Sequence, residues 1–451
     1  VLPFVNMSGD KEQEYFSDGL TEELLNSLSR INELQVAART SAFSFKGKDT
    51  DIGTIARKLN VGAVLEGSVR RSGHTVRITT QLINAITGFH LWSETYDRGL
   101  GDVLRLQTEI AEAVASALKV RLLGDVATSI EVGGTRTPTA FDAYLRASKS
   151  YFIAQSGKDS QAAIAGYGEA IRLDPNYALA YAARSLALVT FANEFATATP
   201  VIHASIDKAH ADAAKAIALA PNLAEGHLAL ARIHASHLEY ISSSEEYEQA
   251  HTLAPGNARV LWNYGNFVVL MGRNDSGLAA LRRAVSLDPL NPEAHSQLGE
   301  GLTNLRRYSE AIKSFKDAEA LELARPDANS AEIGLDYYLL GDLDSARSAC
   351  EKSATEVDGR FCLAMTYDKL GRHADAEGML ARYRASNGDR GAVTYSIIYA
   401  QWGDNAGALA WLETAVRLRD PSLLQLKAPF FDPLRNESRF RAIERALKFP
   451  D

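Results

Sequence analysis

The sequence predicts a small α+β domain followed by an all-α solenoid of helix pairs, and three observations carry that reading. Four related phrases, "AIRLDPN", "AIALAPN", "AHTLAPGN" and "AVSLDPLN", recur through the middle of the chain. The first 123 residues lack this recurrence and mix alternation with a helical period, the signatures of strands and amphipathic helices. Between the two, the stretch from Gly124 to Pro138 loses periodicity and carries Gly133, Gly134, Thr135, Thr137 and Pro138, as linkers do. The expected organisation is therefore a domain over 1–123, a linker over 124–139, a solenoid of about eight units over 140–422 and a capping tail over 423–451.

The N-terminal domain opens with "VLPFV", an apolar run that reads as a strand already under way, which leads us to expect further chain upstream. Phe16, Leu20, Leu24, Leu28 and Ile31 then share one helical face. A short strand is expected at Leu34 to Ala38, and a second helix starts at Asp51 with Ile52, Ile55, Ala56 and Leu59 inward. A three-strand meander follows, because Val76, Ile78, Thr80 and Leu82 alternate with Arg77, Thr79, Gln81 and Ile83, with turns at Ser72-Gly73 and Thr87-Gly88. A helix from Asp102 to Val120 closes the order β-α-β-α-β-β-β-α.

In the second part, Pro221, Pro255 and Pro289 are spaced by 34 residues, the tetratricopeptide period. Proline ends the second helix of one unit, and the asparagine just after it caps the first helix of the next. Small residues recur where two helices approach most closely: Gly265 with Gly277, Gly299 with Ala311, and Gly334 with Ala346. The unit ending at Pro221 is longer than the period, and the excess, which includes Pro200, is expected to lengthen its helices and their connection. Cys350 and Cys362 fall on neighbouring repeat helices and read as small core residues, with a disulfide as the alternative.

Composition narrows the function. The net charge of -8 offers no basic stripe for a phosphate backbone, so nucleic acid is not an expected partner of this part. No apolar run is long enough to span a bilayer. No nucleophile with its base, grouped carboxylates or phosphate loop stands at a recognisable spacing, and no cofactor or metal is expected: the histidines His227 and His234 sit at helix-packing positions. Arg70, Arg71 and Arg77 read as a solvated strand edge.

The phrases "VLPFVNMSGDKEQEYFSDGLTEELLNSLSRI", "VAARTSAFSFKGK", "VLEGSVRRSGHTVRITTQLINAITGFHLWSETYD" and "FFDPLR" resemble a bacterial family that joins a TolB-amino-terminal-like domain to tetratricopeptide repeats. The resemblance implies a regulatory module lying C-terminal to a class III adenylate or guanylate cyclase domain or to a winged-helix regulator, covalently linked to that effector. It implies no catalytic motif for this chain. A cytoplasmic location is expected, with the periplasmic side of a membrane-anchored parent as the alternative. Two other readings compete: an envelope assembly or scaffold protein of TolB-like type, and an enzyme not yet characterised.

In such solenoids the first helix of each unit lines a groove, and the register assigns Arg232, Arg259, Trp262, Asn266, Glu300, Asn304, Tyr338, Asp368 and Lys369 to it. An aromatic beside an arginine is a common make-up of a peptide-binding hot spot, which singles out Trp262, with packing into an adjacent unit as the competing role. A protein or peptide held in this groove is the expected partner.

Overall fold

The computed structural model describes residues 1–31, 34–73, 75–99, 102–118, 132–152, 154, 156–196, 198–322, 325 and 327–449. Its N-terminal part is a four-stranded sheet in sequence order, with strands β1 Val5–Asn6, β2 Ala63–Ser72, β3 Thr75–Asn84 and β4 His90–Gly99. β1 runs parallel to β2, and β2, β3 and β4 form the antiparallel meander. Its turns close at Gly73 and Gly88, both at positive φ, a conformation that glycine adopts without a Cβ clash. The alternation along β3 is realised: Val76, Ile78, Thr80 and Leu82 are buried. Helices α1 Glu14–Ser29, α2 Arg39–Phe43, α3 Ile52–Leu59 and α4 Val103–Ala117 accompany the sheet. Phe16, Leu20, Leu24 and Leu28 of α1 share one core with Phe4, Leu65, Val69, Val76 and Ile78 of the sheet and Leu106, Ile110 and Val114 of α4.

Two details of the sequence reading are corrected. Residues 34–38 are not a strand: the segment lies outside the four-stranded sheet. Its backbone is taken by another partner, because Ala38 N donates to Leu287 O at 2.7 Å, after which the chain turns into α2. Nor is Arg71 a solvated edge residue. β2 lies between β1 and β3, and the Arg71 guanidinium sits 3.0 Å from Asp142 and 3.3 Å from the Tyr15 hydroxyl, which itself donates to Asp142 at 2.5 Å. Arg77, by contrast, forms an exposed pair with Asp97. The last turn expected of α4 and the linker residues up to 131 lie outside the described residues.

Among the described residues, sixteen helices follow: α5 Pro138–Phe152, α6 Gly157–Leu173, α7 Ala178–Thr190, α8 Thr199–Leu219, α9 Ala224–Ser236, α10 Tyr240–Leu253, α11 Ala258–Leu270, α12 Asn274–Leu287, α13 Pro292–Asn304, α14 Tyr308–Leu321, α15 Ser330–Leu340, α16 Leu343–Lys352, α17 Val357–Lys369, α18 His373–Asn387, α19 Ala392–Gln401 and α20 Asn405–Leu418. They run as helix pairs in the tetratricopeptide order. The turn inside each pair needs a left-handed residue, and the positive-φ positions Leu238, Gly272 and Arg306 recur at the repeat period, followed by Gly341, Gly371 and Gly403. Between α11 and α12 the backbones meet: a Cβ at Gly277 would lie 2.7 Å from Gly265 O. The longer second unit absorbs its extra residues in a π turn at Phe191–Phe195 and in α8, 21 residues long with Pro200 in its first turn. Arg184 on α7 and Asp212 on α8 tie that pair through two hydrogen bonds of 2.7 and 2.6 Å. Cys350 and Cys362, read as unlinked core residues, are instead bonded to one another, both fully buried, across α16 and α17.

The chain divides into two compact units. One comprises Val1–Ile233, Glu245–Leu261 and Ser286–Leu290, and the other His234–Ser244, Trp262–Val285 and Asn291–Asp451. In the second unit the tail folds as two 3-10 segments, Pro421–Lys427 and Pro429–Leu434, and helix α21 Ser438–Ala446, burying Leu423, Leu426, Phe431, Leu434 and Phe440. It does more than cover the last pair. Gln401 on α19 donates to Phe430 O at 2.7 Å, Phe361 on α17 meets the Phe430 ring, Arg306 pairs with Asp432 at 2.6 Å, and Phe449 stacks on Tyr240 at 4.9 Å.

Candidate functional site

Within the first unit, the face presented by the first helices of the repeat pairs is covered by α1 of the N-terminal domain. Gly19 on α1 packs so tightly on α5 that a Cβ there would come within 2.6 Å of the Leu145 side chain. Further along, Arg30 reaches Glu225 on α9 at 3.8 Å, and a Cβ at Gly256, just before α11, would lie 2.8 Å from Ser29 O. Glu22 accepts from Arg39 at 2.9 Å, and the Arg39 guanidinium stacks 3.8 Å above the Phe152 ring of α5. Here lie two of the groove residues expected from sequence. Arg259 donates to the Tyr151 hydroxyl at 2.8 Å; burial pulls its pKa down, but Tyr151, Tyr167 and Glu22 outweigh burial and the net shift is upward. Arg232 is lowered, by burial first and then by Arg259. Both arginines belong to a network that α1 closes over.

A second contact ties the N-terminal domain to the repeats of this unit. The Ser41 N–H and hydroxyl both donate to Asp288 Oδ1, at 2.8 and 2.6 Å, and Leu290 N donates to Ser41 Oγ at 2.8 Å. Ser41 and Asp288 are buried. Asp288 is the aspartate of the phrase "AVSLDPLN", so a residue legible as helix-end punctuation also clasps α2.

In the second unit the remaining seven expected residues separate into three groups. Asn266 on α11 donates to Gln297 on α13, whose own amide donates to Glu293 at 2.9 Å and approaches Glu300 at 3.5 Å. Trp262 is half-buried one turn before Asn266, and Asn304 is half-buried at the end of α13. Trp262, Asn266, Glu300 and Asn304 share one stretch of the first-helix face. Tyr338 does not join them: it is buried, its hydroxyl donates to Gln401 at 3.0 Å, and Gln401 in turn holds the tail at Phe430. Asp368 is occupied by His373 at 2.7 Å, and Lys369 is exposed at the end of α17.

The lining of this face is acidic. Glu300 keeps an exposed surface, but desolvation by the helices around it, and then Glu293, Glu332 and Asp358, push its carboxyl up to about 8. Glu332 on α15 is raised to about 7 by burial first, then by Asp358, Glu356 and Glu319. Asp336, fully buried, is raised to about 8 by burial, opposed by the Thr303 hydroxyl that lies 2.9 and 3.1 Å from its two oxygens. Asp358 is also raised, by burial and Glu356. Sequence reasoning singled out Glu300 and missed Gln297, Glu332, Asp336 and Asp358. The signal was available in the i, i+4, i+7 spacing of Glu293, Gln297 and Glu300 on one helical face.

No family model matches the chain. It is 42% identical over 201 residues to "Putative adenylate cyclase 3" of Rhizobium meliloti (strain 1021), a match that takes in 44% of this chain and 34% of that protein. The chain thus spans about a third of the length of this curated relative. Among solved structures it is similar to Pseudomonas aeruginosa pilF, with a TM-score of 0.37 and 20% identity over 47% of this chain and 92% of that one. A thermophilic TPR protein of Thermus thermophilus gives a TM-score of 0.35 and 16% identity over 45% and 98% of the two chains. The 34-residue spacing and the paired helices are what make the repeat region a tetratricopeptide solenoid. Among the described residues no helix is long and apolar enough to cross a membrane.

Proposed function

We propose that this chain is a non-catalytic regulatory module of a signalling protein of the nucleotide-cyclase class, which holds a segment of a partner protein on the first-helix face around Trp262, Asn266, Glu300 and Asn304. The observation that carries this reading is that the face keeps Glu300 exposed and Trp262 half-buried, while the equivalent face of α17 and α19 is buried beneath the tail. A tetratricopeptide face left open is a surface for an extended or helical peptide. Its carboxyl groups, raised towards neutrality in the free chain, would give up their protons as a lysine or arginine docks, so basic segments are favoured over acidic ones and increasingly so as pH rises. The 201 residues that match a protein named as an adenylate cyclase support an effector domain of that kind in the same polypeptide.

The test is a peptide array of matched lysine-rich and glutamate-rich segments, probed with the purified chain and with Trp262→Ala and Glu300→Lys. Binding should favour the basic set and fall by more than about tenfold in each variant, with thermal unfolding nearly unchanged. Equal loss of folding and binding in Trp262→Ala would make Trp262 a core residue. Indifference of both variants to the array would remove the groove from the function.

A further inference from the structure

A separate cavity lies within the first unit, between α1, α4, the 132–136 segment and the start of α7. Its volume is about 510 Å3, in the range of small-molecule sites. Its walls are polar in an uncommon way. Gln107 and Thr108 on α4 line it and are only 4% and 6% exposed. Three guanidinium groups, those of Arg30, Arg105 and Arg136, line the same space. Arg30 is shared with Glu225 at 3.8 Å and Arg105 with Glu109 at 3.3 Å; Arg136 is exposed and makes no ion pair among the described residues.

We infer that this cavity binds a small organic anion, a phosphate or carboxylate compound, with Arg105 and Arg136 meeting the charged group. The charge balance agrees. Against three arginines the lining sets the carboxyl groups of Asp102 and Glu23. Glu23 is pushed up to about 8 by burial first, then by Glu22 and Glu225, with Arg30 and Tyr144 opposing, so near neutral pH it adds little negative charge. Guanidinium groups suit this role because their planar forks match oxyanions and stay charged. The cavity is walled by α1 and α4 of the N-terminal domain and by α7 of the repeats, so a guest would touch both.

Isothermal titration of the whole chain with inorganic phosphate, ribose 5-phosphate and citrate tests the proposal and separates its sources. Ribose 5-phosphate binding more tightly than inorganic phosphate indicates a phosphorylated compound; citrate binding alone indicates a carboxylate. Arg136→Ala and Arg105→Ala, both on exposed side chains, should each weaken the best probe by about tenfold or more without changing the circular dichroism. No heat from any probe at about 10 mM, or a binding strength that the arginine variants do not alter, overturns the site.

Discussion

Replacing Asp288 by alanine should release α2 from the repeats. Asp288 Oδ1 accepts two hydrogen bonds from one residue, Ser41 N at 2.8 Å and Ser41 Oγ at 2.6 Å, with both residues buried. A hydrogen bond to a charged group is worth about 1.5–3 kcal/mol, and a buried N–H left without an acceptor costs about 1–3 kcal/mol. The two estimates overlap, because the penalty on the N–H is part of the bond's loss, so the local cost is about 3 kcal/mol. At about 1.4 kcal/mol per decade, this is roughly a hundredfold rise in the population with α2 released. The assay is amide hydrogen exchange over residues 38–46, which reads that opening directly when reclosing is fast. Ser41→Ala breaks the same contact from the other side, and also removes the acceptor of Leu290 N. The double variant should therefore cost little more than the worse of the two singles. Exchange less than about threefold faster in Asp288→Ala, or full additivity in the double variant, would refute the clasp.

Other substitutions probe the remaining structure. Gly277→Ala places a methyl 2.5 Å from Val269 and 2.7 Å from Gly265 O, so despite the helix-favouring change it should destabilise by about 1–3 kcal/mol in urea unfolding. Asp212→Ala strands the Arg184 guanidinium, 13% exposed, and should cost about 3 kcal/mol or more by the same measurement. Phe431→Ala empties a fully buried site in the tail and should cost about 3–5 kcal/mol. Asp336 and Glu332 titrate higher in the fold than in the unfolded chain, so the native state holds the extra protons. Their contribution to stability should be fullest below about pH 4 and be lost as pH rises towards 8, and Asp336→Asn should remove its share of that pH dependence in urea melts taken across the range.

The elements of the fold were legible because each rests on a local signal: alternation along β3, the apolar face of α1, and prolines at a fixed spacing. What escaped the sequence was the identity of the partner that each surface meets. Residues 34–38 have the apolar content of a strand, yet Ala38 N bonds to Leu287, some 250 residues away, and no local pattern reports a contact of that range. Arg71 reads as one more charge on a hairpin; only the fold brings Asp142 and Tyr15 to it. The groove register shows the same limit. It placed all nine residues on first helices, but could not say that Glu22 of α1 comes to bear on Arg259 or that Tyr338 is tied through Gln401 to the tail.

Those covered faces bear on what the repeats can do. A tetratricopeptide face is an interaction surface wherever it is open, and here two segments of the same chain already use it: α1 in the first unit and the tail in the second. The tail is held by interior packing as well as by polar contacts, through Phe431 and Phe440, and α1 by the close approach of Gly19 to Leu145 and by Arg39 stacked on Phe152. Displacing either would expose fully buried aromatic or leucine side chains at about 1.5–3 kcal/mol apiece, a cost a modest peptide ligand does not offset. On the proposed reading, an external partner meets the second unit around Trp262, Asn266, Glu300 and Asn304, away from the face that the tail buries on α17 and α19. A charge change at Glu300 should then alter peptide binding, while the same change on an outer helix should not.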